Sequence, residues 1–207
     1  MKVSRQVLTI VLVAVVVGGF SVYKLFLART LRPVPVDIRA FGRLKGDPSA
    51  PVKVVEYTDF QCPACAHANG VVEKLLSTYP GQISVEHKHF PLSRHEHAFR
   101  ASVFAECAAD QGKFWPFHDV LFKSQDTWEK MLSVDNYYSE LAVSMGINGA
   151  RLTACVNSAD AGSRVKKDMQ EGVALEVKST PTFFVNGKRF VGGAFLEQEV
   201  ERILGKK

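Results

Sequence analysis

One stretch narrows the folds open to this chain more than any other. Val52 to Tyr57 is a short β-branched run that leads into Cys62-Pro63-Ala64-Cys65. From there Ala68, Val71, Val72, Leu75, Leu76 and Tyr79 keep helical spacing until Pro80-Gly81 stops the helix. A strand that feeds a helix through C-x-x-C puts Cys62 at the helix N-terminus, where free N–H groups and the macrodipole favour a thiolate. Pro63 suits the first helical turn because its missing N–H would have no partner there. Cys65 lies one turn on and can close a short disulfide ring. In an exchange reaction Cys62 attacks a substrate disulfide, or is attacked when oxidised, and Cys65 resolves the mixed disulfide. A bare C-x-x-C is also half of a zinc site or a structural pair; the strand-to-helix context favours the redox reading.

The rest of the chain extends the pattern. Ile83 to Phe90 alternates as a second strand. Ser93 to Val177 reads as mainly helical, with Phe99, Val103 and Cys107 on one face and Val165, Met169, Val173 and Val177 on another. Thr182–Val185 and Lys188–Val191 flank Asn186-Gly187, a strong type I′ hairpin signal. A last helix is expected over 196–204. The order β, α, β, long helical stretch, β-hairpin, α fits an α/β, thioredoxin-like fold with an inserted helical domain at about 93–177. Thr180-Pro181 stands just before the hairpin, where a cis proline could face the disulfide and the Thr180 backbone could pair with an extended substrate.

The chain has 207 residues and 46% apolar content, enough for one packed domain. Its net charge of +5 is unevenly spread. Residues 1–46 hold eight basic residues against Asp37, so the remaining 161 carry 18 basic and 20 acidic residues. Nucleic-acid binding, which needs a basic patch on the fold, finds little support there. Val7 to Tyr23 is a 17-residue run without a charge, at the short end of a membrane span. Lys2 and Arg5 before it make a positive n-region. Residues 1–28 therefore read as one N-terminal transmembrane anchor or a cleaved signal sequence, and 29–46 as a juxtamembrane linker with Pro33, Pro35, Gly42 and Gly46. That leaves 47–207 as the domain. Counting charges, the basic residues after the span would hold the domain in the cytoplasm. The redox chemistry argues for the other side, and we give it precedence.

The motifs together resemble a known family. Gly46-Asp47-Pro48 and Ala50-Pro51-Val52 lead into Val54-Val55-Glu56-Tyr57-Thr58-Asp59-Phe60-Gln61 and the cysteine motif. Phe90-Pro91-Leu92, Gln111-Gly112-Lys113-Phe114-Trp115, Phe117-His118-Asp119 and Thr180-Pro181-Thr182-Phe183-Phe184-Val185-Asn186-Gly187 follow. Over about 46–204 this is similar to the DsbA-like thiol:disulfide oxidoreductases of the bacterial envelope. The resemblance implies a thioredoxin fold with a helical insertion, Cys62 as nucleophile, Cys65 as resolver and Pro181 as the cis-proline. Thr180, Pro63 and Ala64 are the candidate substrate contacts. Two residues depart from the strong oxidases of that family. Ala64 stands where many carry His, and Thr180 resembles the isomerase and reductase branches at least as much.

Further candidates complete the reading. Glu56, six residues before Cys62 in an apolar strand, could relay protons to Cys65 as a buried acid; the alternative is an ion pair with a lysine such as Lys88. Cys107 and Cys155, an even remainder in an exported chain, suggest a structural disulfide; the alternative is two buried thiols. His87-x-His89 and His95-x-His97 could join a Cys/His metal site, but strand and helix packing explains them better, and we assign no metal and no organic cofactor. Phe114-Trp115-Pro116-Phe117 reads as core, with a substrate groove as the alternative.

The expected function is thus a disulfide oxidant for exported cysteine-containing proteins. It would be held at the bacterial inner membrane with its catalytic domain on the periplasmic side, and reoxidised by a membrane redox partner. The rivals are an isomerase or reductase kept reduced by a membrane donor, a Cys/His metal-binding protein, and a redox-inert chaperone.

Overall fold

The computed structural model describes residues 42–205. The expected anchor at 1–28 lies outside them, and among the described residues no helix is long and apolar enough to cross a membrane. Five strands form one sheet: β1 (Leu44–Gly46), β2 (Val52–Thr58), β3 (Ile83–His89), β4 (Thr182–Val185) and β5 (Lys188–Val191). Their order is β1-β3-β2-β4-β5. Only β2 and β3 run parallel; the other three pairs are antiparallel. Helix α1 (Pro63–Thr78) makes the crossover between β2 and β3. Six helices intervene between β3 and β4: α2 (Ala98–Ala109), α3 (Phe114–Lys123), α4 (Gln125–Trp128), α5 (Asp135–Ser144), α6 (Gly149–Val156) and α7 (Ala159–Ala174). Helix α8 (Gly193–Ile203) is the last element among the described residues. This is the α/β, thioredoxin-like arrangement with a helical insertion.

Side-chain alternation explains the layers. Along β2, Val52 and Val54 face α1 and α8, packing with Ala68, Val72, Leu75, Leu196 and Val200. Tyr57 points to the other face, edge-on to Phe90 and Phe184 at 6.2 and 5.9 Å between ring centres. Helix α7 passes so close there that a Cβ on Gly172 would stand 2.7 Å from the Phe90 ring. The hairpin turn has φ of +46° at Asn186 and +85° at Gly187, as a type I′ turn requires. The Asn186 side chain accepts from Lys53 N at 2.8 Å and donates to Pro51 O at 3.1 Å, which ties the turn to the start of β2.

A second apolar cluster belongs to the insertion: Phe104, Phe114, Phe117, Leu121, Trp128, Tyr138 and Leu152, together with Phe60, Cys62 and Cys65. The redox pair is thus walled by the insertion rather than by the sheet core. Phe114 and Phe117 are core residues. Trp115 is half-buried and donates from Nε1 to Leu44 O at 3.1 Å, fastening β1. Cys107 and Cys155 are joined by a disulfide across 48 residues, linking α2 to α6.

Three expectations need correction. The linker assigned to 29–46 overruns the fold, because Leu44–Gly46 is an edge strand paired with Glu86, Val85 and Ser84. Arg43 just before it is buried, 3.0 Å from Glu106 Oε1 and closer still to Asp168. The domain therefore begins before residue 47. The assigned helix faces also shift. Phe99 is 36% exposed and Val173 66%, because α2 turns Val103 and Cys107 inward while α7 buries Val165 and Gly172 instead. Finally, β3 is buried along its whole length although it carries Glu86, His87, Lys88 and His89. These groups are paired within the protein: Lys88 with Glu86 at 3.1 Å and Glu171 at 3.2 Å, and His89 with Glu106 at 3.0 Å.

Removing one partner of a buried ion pair leaves an uncompensated charge. Arg43→Met should therefore cost on the order of 3–5 kcal/mol in urea unfolding, far more than a linker substitution would.

Candidate active site around Cys62 and Cys65

Cys62 caps α1 in extended conformation, φ −84° and ψ 120°, with Pro63 as the first helical residue. Among the described residues no side chain caps this helix, and the backbone N–H groups of Ala64 and Cys65 act on the Cys62 sulfur. The Cys62 Sγ lies 3.5 Å from Thr180 O and donates to it as a thiol. The Thr180–Pro181 peptide is cis, and Pro181 O accepts from Gly192 N at 3.0 Å. Pro63 and Ala64 are exposed beside it, whereas Cys65 is wholly buried. Both active-site cysteines are free thiols.

The two sulfurs are electrostatically unequal. A hydrogen bond from the Cys65 thiol, opposed by desolvation and helped by Thr180 and the N–H groups of Cys65 and Ala64, pulls the Cys62 thiol down to about 5. Burial, and then the neighbouring Cys62 sulfur, push Cys65 well above the ordinary thiol value. At neutral pH the arrangement therefore holds a thiolate at Cys62 and a protonated thiol at Cys65.

The turn that presents Cys62 is clamped by residues that sequence reading did not single out. Asp59 Oδ1 accepts from Gln61 N at 2.7 Å, and its Oδ2 accepts from Leu92 N at 2.8 Å and lies 2.8 Å from His95 Nδ1. Gln61 Oε1 accepts from His97 N at 2.7 Å. Gln125, buried at the start of α4, donates from Nε2 to Phe60 O at 2.6 Å and Cys62 O at 3.2 Å. Asp59 and Gln61 could have been found, since they sit inside the quoted cysteine motif. Gln125 carries no local signal, because its role depends on how α4 packs.

Glu56 is 3% exposed and is not paired with Lys88, which turns to Glu86 and Glu171. Desolvation raises its carboxyl to about 7, against a small opposing effect of the Thr58 hydroxyl. Its Oε1 has no hydrogen-bond partner among the described residues. The histidines are divided. His87 and His89 lie 3.1 Å apart in the buried network, with the His87 ring stacked on Phe60. His95 and His97 hold the Cys62 turn. Among the described residues no three His, Cys, Asp or Glu side chains are grouped to hold a metal ion.

Fold and site together define a thioredoxin-type, dithiol-bearing domain with a helical insertion. A thioredoxin family model (Thioredoxin_4) matches residues 41–204, and the chain belongs to that family. Among solved structures, α-DsbA1 of Wolbachia pipientis has a TM-score of 0.70 at 22% identity, over 86% of this chain and 96% of that one. BdbD of Bacillus subtilis in its oxidised form has a TM-score of 0.69 at 25% identity, over 79% of this chain and 91% of that one. These neighbours share the DsbA-like form of the fold. Among curated proteins, a Na(+)/H(+) antiporter NhaA 1 of Mycobacterium sp. (strain KMS) is 37% identical over 159 residues, 76% of this chain. The Na(+)/H(+) antiporter NhaA of Herminiimonas arsenicoxydans is 34% identical over 158 residues. This chain spans about a quarter of the length of those relatives, 25% and 24% respectively.

Two titrations check the site. Alkylation of Cys62 should stay fast from neutral pH down to about 5 and fall below it, while Cys65 stays unreactive. Glu56 has a folded pKa above its unfolded one, so its burial costs nothing while both states are protonated and costs progressively more as pH rises through 4.5 toward about 7. Glu56→Gln should therefore stabilise the protein above pH 7, by up to about 3 kcal/mol, and leave acid stability unchanged.

Proposed function

We propose that this protein is a thiol–disulfide oxidoreductase that donates its Cys62–Cys65 disulfide to cysteines of exported proteins. The observation that carries the reading is the stabilised Cys62 thiolate at the head of α1, next to a buried, protonated Cys65. A low-pKa thiolate favours the reduced form and so makes the disulfide a stronger oxidant. A substrate thiolate attacks Cys62 Sγ and Cys65 leaves. A second substrate thiolate then attacks the mixed disulfide and releases Cys62. The Thr180 backbone, with Pro181, Pro63 and Ala64 around it, suits an extended peptide laid beside the sulfur. A pKa of about 7 for the Glu56 carboxyl supports its role in supplying or accepting the Cys65 proton. In this reading the chain is held at the inner membrane through residues 1–28, with its domain on the periplasmic side and a membrane redox partner to reoxidise it. Sodium–proton transport is a property of the much longer antiporters and is not part of the proposal.

A second reading, an isomerase or reductase kept reduced by a membrane donor, draws on Ala64 and Thr180. Ala64 offers no positive charge beside the Cys62 thiolate.

The reduction potential of the Cys62–Cys65 pair against glutathione separates the two. We expect a value near the roughly −120 mV of strong periplasmic oxidants; one near the roughly −270 mV of thioredoxin would sink the oxidant reading.

A further inference from the structure

Along β2 the side chains of Val52, Val54, Glu56 and Thr58 alternate onto one face, the face that Val52 and Val54 pack against α1. At the end of this row nearest the cysteines the apolar pattern breaks twice. Glu56 is 3% exposed and Thr58 1%, and among the described residues neither Glu56 Oε1 nor Thr58 Oγ1 has a hydrogen-bond partner. A buried unpaired oxygen is destabilising, since it gives up its water without a replacement. Two on one face of the strand that leads to the buried cysteine pair call for a use. Valine has the β-branched shape that strand and burial favour at position 58, so packing alone does not explain a hydroxyl there. Thr58 follows Glu56 by two residues on this face, and although its hydroxyl makes no hydrogen bond of ordinary geometry in the resting protein, it lowers the pKa of both Glu56 and Cys65.

We infer that Thr58 is the proton relay between Cys65 and Glu56. This rests on the proposed role of Glu56 and adds the group that connects it to the sulfur. In the resolving direction, Cys62 is joined to a substrate sulfur. Cys65 gives its thiol proton to Thr58 Oγ1, while Thr58 passes its own proton to the Glu56 carboxylate. The Cys65 sulfur then bonds to Cys62 Sγ, the Cys62–substrate S–S bond breaks, and the substrate leaves as a thiolate. Two electrons move from the protein dithiol to the substrate disulfide, and Glu56 ends protonated. In the donating direction each movement reverses: Cys65 leaves as a thiolate and is reprotonated from Glu56 through Thr58.

The test is a single-turnover reaction of the reduced full-length protein with a disulfide-bonded peptide, following release of the peptide from the mixed disulfide. Thr58→Val, Thr58→Ser and Glu56→Gln are compared with the unaltered protein. Thr58→Val should slow release by at least about tenfold, a part of the roughly 10²–10⁴-fold that positioned proton transfer supplies. It should leave Cys62 alkylation unchanged and stability equal or higher, since it removes an unpaired buried hydroxyl. Thr58→Ser should restore most of the lost rate. Normal release by Thr58→Val with slow release by Glu56→Gln would overturn the relay and leave the role of Glu56 standing. Normal release by both would overturn the two together. Slow release by Thr58→Val and Thr58→Ser alike would show that the methyl, not the hydroxyl, matters, and would also overturn the relay.

Discussion

The carboxylate of Glu106 sits fully buried where the insertion meets the sheet, and the fold is arranged to satisfy it. Desolvation alone would raise its pKa. The hydrogen bond from His89 and the charges of Arg43 and Arg164 instead bring its pKa down to about 2. Those three partners come from the segment before β1, the end of β3 and the helix α7, so one charge ties together chain positions far apart in sequence. Asp168 extends the network by accepting from the backbone N–H of His89 at 3.0 Å. Such networks are costly to bury and add little net stability over an apolar replacement. What this one gives is orientation, because ion pairs and hydrogen bonds fix directions that an oily contact leaves loose.

Orientation matters because the redox pair lies at that same junction. Cys62 and Cys65 are covered by Phe60 and the insertion's aromatic residues, while the strand before them belongs to the sheet. The turn between is held from three sides by Asp59, Gln61 and Gln125. The inequality of the two sulfurs follows from their places on one helical turn. One faces N–H groups at the helix end and a carbonyl across the groove; the other is sealed beneath it, where Cys62, Thr58 and Thr180 are the polar groups that act on it.

Much of this was legible in the residues. The β2–Cys62–α1 passage, the Asn186-Gly187 turn and the order of elements declare themselves locally, because strand alternation, helix spacing and turn chemistry are short-range. What stayed hidden depends on tertiary packing. Residues before 47 look like linker because Pro, Gly and basic residues usually do. Only the buried carboxylates of Glu106 and Asp168 show why Arg43 is inside. Val173 has helical spacing with Val165, yet it faces solvent because Gly172 takes the place next to Phe90 and Tyr57. Lys88 was a reasonable partner for Glu56 by sequence distance, but adjacent strand residues point to opposite faces of the pleat. His87 and Glu56 pair in register across β2 and β3, which puts Lys88 beside Tyr57.

The Cys107–Cys155 bridge has a consequence of its own. It closes a loop that takes in most of the insertion, and a cross-link of that span stabilises mainly by restricting the unfolded chain. Its benefit therefore varies with the surroundings. Wherever thiols are kept reduced the insertion does without its staple, and wherever oxidants prevail it gains one. The resilience of the folded chain thus reports the redox state of the place in which it finds itself.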